Sequence, residues 1–220
     1  RGAFIVLEGL DRSGKTTQVK LLQEKLAGMG RAVELARFPG MLPVSLSLSF
    51  SFFFFIINTY LTSPNAPSLP DQAIHLLFTA NRWEAAPRLT SLLASGTTII
   101  CDRYYYSGMV YSAAKHNPAL PLSWARSPEV GLPRPDLVVF LDLDGAAAEK
   151  RGGWGGERYE KREMQARVRE LFWGLKRGEL QGVVGAGGAS EEAEDLVVVD
   201  AGGSVEEVAR EIWRVVEARV

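Results

Sequence analysis

The sequence has almost no cysteine and no excess of charge of either sign. Its 220 residues contain a single cysteine, Cys101, which excludes an internal disulfide and fits a reducing compartment. With 25 basic and 26 acidic residues the net charge is −1, so no overall field favours nucleic acid or a membrane. We therefore expect a protein of the cytoplasm, with the nucleus as a second location, that binds anions through a local cluster of Arg and Lys.

The N-terminus also lacks both an initiator Met and a signal peptide before the strand-like run at residues 3–7. We expect a fragment or a processed chain. Cys101 follows two isoleucines in an apolar run, which predicts a buried core thiol rather than a reactive one.

Strands and helices alternate along the chain. Apolar runs without alternation, typical of strands buried on both faces, lie at 3–7, 97–101, 137–141 and 196–199, with a weaker run at 32–36. Helical spacing is found at 16–27, 71–93, 160–175 and 205–220. Pro87 is a possible interruption of the second of these helices, and the Gly- and Glu-rich segment 181–195 predicts a flexible surface loop. This pattern predicts an α/β fold with a five-stranded parallel sheet covered on both faces.

The strongest motif runs from Gly9 to Thr16 and satisfies G-x-x-x-x-G-K-[ST] between a predicted strand and a predicted helix. Glycines let the backbone wrap phosphate oxygens, and the helix N-terminus adds its positive end. In such a P-loop, Lys15 reaches the β- and γ-phosphates and the Thr16 hydroxyl helps to hold Mg²⁺. The motif predicts a P-loop NTPase.

The run at 97–101 ends in Asp102-Arg103-Tyr104. An acid at the carboxyl end of a parallel strand, where such sheets bind ligands, can serve as a metal-side carboxylate. Asp102 can equally form a structural ion pair with Arg103, and the sequence leaves both interpretations open.

Four short signatures occur in order along the chain. They are Leu7 to Thr16, Arg37-Phe38-Pro39, Leu76 to Glu84, and Asp102-Arg103-Tyr104 followed by Ser107-Gly108. Together they resemble the thymidylate kinase family, and Arg12 within the P-loop resembles its eukaryote-type subgroup. The glycine-rich segment 151–160 resembles the family's mobile lid. The likeness spans all but 40–57, so we expect a single domain over residues 1–220 with a nucleoside monophosphate kinase-like fold.

The resemblance implies Mg²⁺-dependent transfer of a phosphoryl group from ATP to dTMP by a homodimer. It implies metal binding by Thr16 and Asp102. The residues implied at the ATP site are Gly9, Asp11, Arg12, Ser13, Gly14, Lys15, Thr16 and Arg151, and those implied in catalysis are Arg12, Lys15, Asp102 and Arg158. Arg12 would act in cis as an arginine finger.

On the acceptor side, the resemblance implies that Asp11 approaches the sugar 3′-hydroxyl and that Phe78 stacks on thymine. Arg82 would hydrogen-bond a base carbonyl, Arg103 would hold the acceptor phosphate, and Tyr111 would disfavour a 2′-hydroxyl. Ser107, Gly108, Tyr159 and Gln165 are implied to line the same pocket. Without the resemblance, Phe78 and Tyr111 read as core aromatics, Arg82 as a surface charge, and the lid as a plain glycine-rich loop.

Residues 40–57 depart from the family pattern. Where the family has an acidic residue, an arginine and hydroxyl residues, this segment alternates serine with Leu or Phe and then finishes with the apolar run from Phe52 to Ile57. No charged residue occurs between Arg37 and Asp71. Three interpretations compete. A membrane span is the least favoured because the apolar core is short; an amphipathic edge strand over 44–52 is the second. We favour the third, a retained intron or gene-model error, because Ser, Leu, Phe and Pro have pyrimidine-rich codons.

Two other function classes remain open from the sequence. Another nucleoside or nucleotide kinase would share the P-loop, but the run from Phe78 to Trp83 and Arg103 favour a thymine base and a charged acceptor. A nucleotide-binding product without turnover would follow from the replaced segment at 40–57.

Overall fold

A computed structural model of the chain describes residues 1–40, 52–63, 68–151, 158–179 and 191–220. Within these residues five strands form one sheet in the order β2-β3-β1-β4-β5, and each neighbouring pair is parallel. The strands are β1 (Phe4–Gly9), β2 (Val33–Arg37), β3 (Thr98–Asp102), β4 (Leu137–Asp142) and β5 (Leu196–Asp200). The predicted five-stranded parallel sheet is confirmed, including the weak run at 32–36.

Helices cover both faces of this sheet. They are α1 (Lys15–Gly28), α2 (Phe52–Thr62), α3 (Asp71–Ala94), α4 (Tyr105–Ala113), α5 (Leu122–Arg126), α6 (Gly145–Lys150), α7 (Arg162–Arg177), α8 (Glu191–Asp195) and α9 (Val205–Val216). Because side chains alternate along a strand, Phe4 and Val6 pack with α3, α4 and α7, whereas Ile5 and Leu7 pack with α1 and α9. Cys101 lies in the first of these cores, and burial raises the pKa of its thiol well above the usual value, as expected of a core thiol.

The structure decides one alternative that the sequence left open, at Pro87, and corrects one expectation, at 181–195. The segment 71–93 is one uninterrupted helix that continues through the exposed Pro87. A proline inside a helix costs about 3 kcal/mol, but Ala86 and Leu89 on either side are buried in the core and hold the helix together. The segment predicted as a loop at 181–195 ends in α8, whose Glu192 is buried and paired with Arg126 at 2.5 Å; residues 180–190 lie outside the described part.

The last part of the atypical segment, residues 52–57, is helical. Phe52 begins α2, so at this residue the second interpretation, an edge strand over 44–52, is wrong, while 41–51 lie outside the described residues. Ile57 and Tyr60 of α2 are buried against Ile74 of α3, and this contact explains why the apolar stretch folds as a helix. None of the helices in the described residues is long and apolar enough to cross a membrane.

Candidate active site

The loop from Gly9 to Thr16 joins β1 to α1 at the carboxyl edge of the sheet. Gly9 has φ 153°, and a Cβ there would lie 2.7 Å from the carbonyl oxygen of Leu141, so only glycine fits. Gly14 has φ 92° and caps α1, which turns the helix N-terminus toward the loop. The backbone thus forms the concave shape that the motif predicts.

Lys15 and Thr16 occupy the mouth of this loop. The Lys15 ammonium donates to the carbonyl oxygens of Leu10 at 2.6 Å and Gly9 at 3.2 Å. Burial, and then the nearby Arg103, lower the pKa of Lys15 to about 8. The Thr16 hydroxyl donates to a carboxylate oxygen of Asp102 at 2.8 Å. Asp102 therefore faces the P-loop and is not the hydrogen-bonded partner of Arg103.

Arg103 follows β3 with a positive φ of 67° and points back across the end of β1. Its guanidinium donates to the Gly9 carbonyl oxygen and the Ser107 hydroxyl, both at 3.0 Å, and forms an ion pair with Asp11. Glu8 fixes the turn that follows Arg103, because its carboxylate accepts hydrogen bonds from the backbone N–H groups of Tyr104 and Ser107. Arg103 is thereby held between the P-loop and α4.

Gln165 of α7 links several predicted residues into one cluster. Its amide nitrogen donates to the Asp11 carboxylate at 2.6 Å and to the Tyr159 carbonyl oxygen at 3.0 Å, and its oxygen accepts from the Asp11 N–H at 3.0 Å. The Arg103 guanidinium lies 5.2 Å from the centre of the Tyr111 ring. Burial raises the pKa of the Tyr111 hydroxyl above its usual value, and the nearby Arg103 charge opposes this rise only in part.

Arg82 is buried rather than a surface charge. Its Nε donates to Glu129 at 2.9 Å, and its Nη2 pairs with the other oxygen of the same carboxylate. The guanidinium also lies against Gly108, where a Cβ would approach Nη2 to 2.6 Å. Phe78, one helical turn before Arg82, is half-buried and lines the cavity described below. These two side chains form the wall opposite the P-loop.

The remaining arginines differ in position. Arg12 has φ 67° and pairs with Glu160, with its Nη2 3.1 Å from the carboxylate. Arg151 donates to the carbonyl oxygens of Arg12 at 3.2 Å and Ala201 at 2.6 Å. The Arg158 guanidinium instead stacks 4.1 Å from the centre of the Tyr60 ring. Of the predicted lid at 151–160, the residues 152–157 lie outside the described part.

One cavity of about 800 Å³ connects these groups. The predicted residues that line it are Asp11, Arg12, Gly14, Lys15, Thr16, Phe78, Arg82, Asp102, Arg103, Ser107, Gly108, Tyr111, Arg151 and Tyr159. Gly9, Ser13, Arg158 and Gln165 are not among the lining residues; the first two shape the loop, and Gln165 contacts the cluster from behind.

The sequence reasoning did not assign several residues at this site. Arg37, at the end of β2, lines the cavity, and Glu8 and Glu129 support the two buried arginines. A signal for Glu8 was present, since a carboxylate inside an otherwise apolar buried strand needs local partners. Glu129 carries no comparable signal because it follows Ser127 and Pro128 outside any apolar run, where an acidic residue is ordinarily exposed.

A P-loop between the central strand and its helix, at the carboxyl edge of a parallel sheet, defines a P-loop NTPase fold. Residues 7–212 match the sequence profile described as Thymidylate kinase. The chain is 44% identical over 197 residues to a thymidylate kinase of Arabidopsis thaliana, covering 90% of this chain and 70% of the relative. It is 42% identical over 212 residues to that of Schizosaccharomyces pombe, covering 96% and 90%.

A solved thymidylate kinase structure from Candida albicans superimposes with a TM-score of 0.79 at 36% identity, covering 99% of this chain and 92% of that one. The chain belongs to the thymidylate kinase family. This membership confirms the resemblance stated from the four signatures, and the two relatives named above are eukaryotic, as the resemblance to the eukaryote-type subgroup predicted.

Proposed function

We propose that this enzyme transfers the γ-phosphoryl group of ATP to the phosphate of dTMP, giving ADP and dTDP for dTTP synthesis. The observation that carries the proposal is the shared cavity, which has the P-loop at one end and Phe78, Arg82 and Arg103 at the other. Phosphoryl transfer needs two substrates held in line and their charge compensated, rather than a protein nucleophile. A single cavity with cations along its length meets both needs.

On the donor side, the loop backbone and Lys15 hold the ATP phosphates. The ammonium already sits among carbonyl oxygens inside the loop, so phosphate oxygens can replace those acceptors without a rearrangement of the chain. Thr16 and Asp102 fit Mg²⁺ because their oxygens lie 2.8 Å apart, and this metal is commonly held by one or two protein oxygens plus phosphates and waters. When bound, the metal supplies neutralisation of charge at the β- and γ-phosphates.

Arg12 stabilises the transferred group, and Arg151, which lies against the P-loop backbone, takes part in ATP binding. The positive φ of Arg12 projects its side chain from the loop, and its ion pair with Glu160 ties it to the segment that leads into α7. Arg158 stacks on Tyr60 in this arrangement, so a role in catalysis requires it to leave that ring. We propose that it does so when ATP binds and the Arg158 side chain turns toward the phosphates.

On the acceptor side, Arg103 holds the dTMP phosphate and Asp11 meets the 3′-hydroxyl. Phe78 stacks on the base and Arg82 donates to a base carbonyl oxygen. Tyr111 packs near the sugar and disfavours a 2′-hydroxyl. Ser107, Gly108, Tyr159 and Gln165 hold these groups in place through the contacts described above.

The test is a coupled ADP-release assay of the purified chain with ATP, Mg²⁺ and one of dTMP, dUMP, AMP, CMP or thymidine. We expect the highest kcat/KM with dTMP, and no turnover by a Lys15→Ala variant, which controls for contaminating kinases. A folded chain that binds ATP but prefers AMP or CMP contradicts the proposal. Light scattering on the same preparation tests the homodimer that we also propose.

A further inference from the structure

Glu129 lies behind the acceptor pocket and uses all of its carboxylate on neighbouring side chains. It ends a short 3₁₀ turn, Ser127–Glu129, and its side chain has no exposed surface. One oxygen accepts from Arg82 Nε at 2.9 Å; the other accepts from Arg82 Nη2 and from the Thr79 hydroxyl at 2.6 Å. The turn is itself tied to α3 because the Trp83 indole donates to the Pro128 carbonyl oxygen at 2.8 Å.

The contact with Glu129 occupies the Nε and Nη2 donors on one edge of the Arg82 guanidinium, and Nη1 lies on the opposite side. Among the described residues, Nη1 of Arg82 has no hydrogen-bond partner, although the side chain is only 3% exposed. The guanidinium plane is held on one edge by Glu129 and on one face by Gly108, where a Cβ would lie 3.1 Å from Cζ. A donor fixed in this way on a cavity wall selects for an acceptor on the ligand.

The imidazole of His75, which also lies near Glu129, does not compete with Arg82 as its charged partner. Burial lowers the pKa of His75, which keeps this imidazole neutral although one ring nitrogen lies 3.8 Å from Glu129. Its other ring nitrogen is 2.8 Å from the Ser112 hydroxyl. Arg82 is thus the charged partner of Glu129, and loss of the carboxylate charge would leave the arginine buried without compensation.

We propose that Glu129 is the positioning residue for base recognition: it fixes Arg82 so that Nη1 meets a carbonyl oxygen of the acceptor base. This inference rests on the proposed function. Because a guanidinium only donates, thymine and uracil, which carry a carbonyl oxygen where cytosine carries an amino group, are accepted and cytosine is refused. Glu129 therefore controls the choice among pyrimidine bases without touching them.

The test compares wild type with Glu129→Gln and Glu129→Asp. In the glutamine variant the amide nitrogen opposes the Arg82 Nε–H, two donors face each other, and the guanidinium must turn away. The aspartate variant keeps the charge but shortens the arm. Asp142→Asn is the matched control, since Asp142 makes the same kind of two-bond pair with Arg169, at 2.6 and 2.7 Å, away from the acceptor wall.

We expect Glu129→Gln to raise KM for dTMP and for dUMP by about tenfold each, the effect of one lost hydrogen bond to a charged group. The KM for ATP should stay within about twofold. The preference for dTMP over dCMP should fall by about tenfold, the preference for dTMP over dUMP should not change, and the aspartate variant should show a smaller loss. Asp142→Asn should change none of these ratios.

Calorimetric binding of dTMP and ATP to the same variants gives the same comparison without turnover. A folded Glu129→Gln variant with unchanged dTMP affinity and an unchanged dTMP-to-dCMP ratio overturns the inference and leaves the proposed function intact. An equal loss for dTMP and ATP, as in a merely destabilised protein, also overturns it. Wild type that neither binds nor phosphorylates dTMP refutes the proposed function and, with it, this role for Glu129.

Discussion

Replacing Glu8 tests whether the turn that carries Arg103 is held by one buried carboxylate. Glu8 is fully buried near the end of β1. Its carboxylate accepts from the backbone N–H groups of Tyr104 at 2.8 Å and Ser107 at 3.0 Å, and from the Ser107 hydroxyl at 2.5 Å. These contacts span almost a hundred residues and join β1 to the beginning of α4.

The magnitude follows from the groups that each substitution leaves without a partner. Glu8→Ala leaves two buried backbone N–H groups unsatisfied, at about 1–3 kcal/mol each, so we expect a loss of about 2–6 kcal/mol in the free energy of unfolding. Glu8→Gln keeps an oxygen for both N–H groups and turns its amide nitrogen toward the Ser107 hydroxyl, which can accept it. Only the hydroxyl proton loses its acceptor, which costs about 1 kcal/mol.

The pH dependence of the glutamine variant gives a second signature. Burial, only partly opposed by the Arg103 charge, raises the pKa of Glu8 in the folded state above the usual 4.5. The stabilisation linked to its protonation is therefore fully present below 4.5 and is lost as pH rises through the folded pKa. Glutamine does not titrate, so the variant has no such pH-dependent stabilisation. The unfolding free energy of Glu8→Gln relative to wild type should therefore rise with pH, by at most about 1.4 kcal/mol per pH unit.

Urea unfolding of wild type, Glu8→Gln and Glu8→Ala at pH 5 and 7.5 measures these differences. Steady-state kinetics should show a larger rise in KM for dTMP than for ATP in the alanine variant, because Arg103 loses its fixed turn. The reasoning is refuted if the alanine variant unfolds within about 1 kcal/mol of wild type. A glutamine-to-wild-type difference in unfolding free energy that is the same at both pH values would refute the raised pKa of Glu8 in the folded state.

Two further perturbations test the catalytic loop and the buried network. Arg12→Ala should lower kcat by about a thousandfold or more, as for loss of an arginine finger, while ATP affinity by calorimetry changes little; an equal loss in affinity would assign Arg12 to ground-state binding. His75 has a folded pKa lowered mainly by burial. The unfolded chain thus binds a proton first as pH falls below about 6.5, and wild type should lose stability there more steeply than His75→Gln. Identical slopes of unfolding free energy against pH would mean that His75 accepts the proton in place.

The sequence predicted those parts of the site that depend on local pattern. A glycine loop between an apolar strand and a helix determines its own shape, so the positions of Lys15 and Thr16 followed from the motif. Asp102 could be placed opposite the loop because parallel strands bring their carboxyl ends to one edge, and Leu7 does pair with Asp102 in register. The sequence alone left the partner of Asp102 undecided, since that depends on the direction in which Arg103 leaves the strand.

Contacts between distant segments could not be predicted in this way. Glu129 pairs with Arg82 because a short 3₁₀ turn lies beside the cavity. Glu160 pairs with Arg12 because the segment that leads into α7 lies there too. The same holds for Pro87, where buried neighbours override a local preference against helix. Local rules therefore determined the P-loop, whereas tertiary packing determined which carboxylates support Arg12 and Arg82.

The atypical segment at 40–57 affects one end of the cavity and not the other. On its N-terminal side, the backbone of Gly40 exchanges two hydrogen bonds with the Asn81 side chain, at 3.2 and 3.1 Å, so the chain is anchored up to this point. On its C-terminal side, Phe54 and Asn58 of α2 line the same cavity. Between these anchors the sequence supplies no cation, although the P-loop is complete.

We therefore expect ATP binding to be normal and acceptor handling to be weak, and a chimera tests this directly. Replacing residues 41–51 with an acidic-arginine-hydroxyl segment of the family type should raise kcat/KM for dTMP by about tenfold or more, the effect of one restored charge-assisted contact. The ATP dissociation constant should not move, and a chimera with arginine replaced by glutamine is the control. RNA reads that skip the codons of 40–56 would support the retained-intron hypothesis, whereas continuous reads through them in mature message count against it. If the chimera gains nothing while wild type turns over dTMP well, Arg37 and Arg103 are sufficient for the acceptor phosphate, and the uncharged segment is a working part of the enzyme.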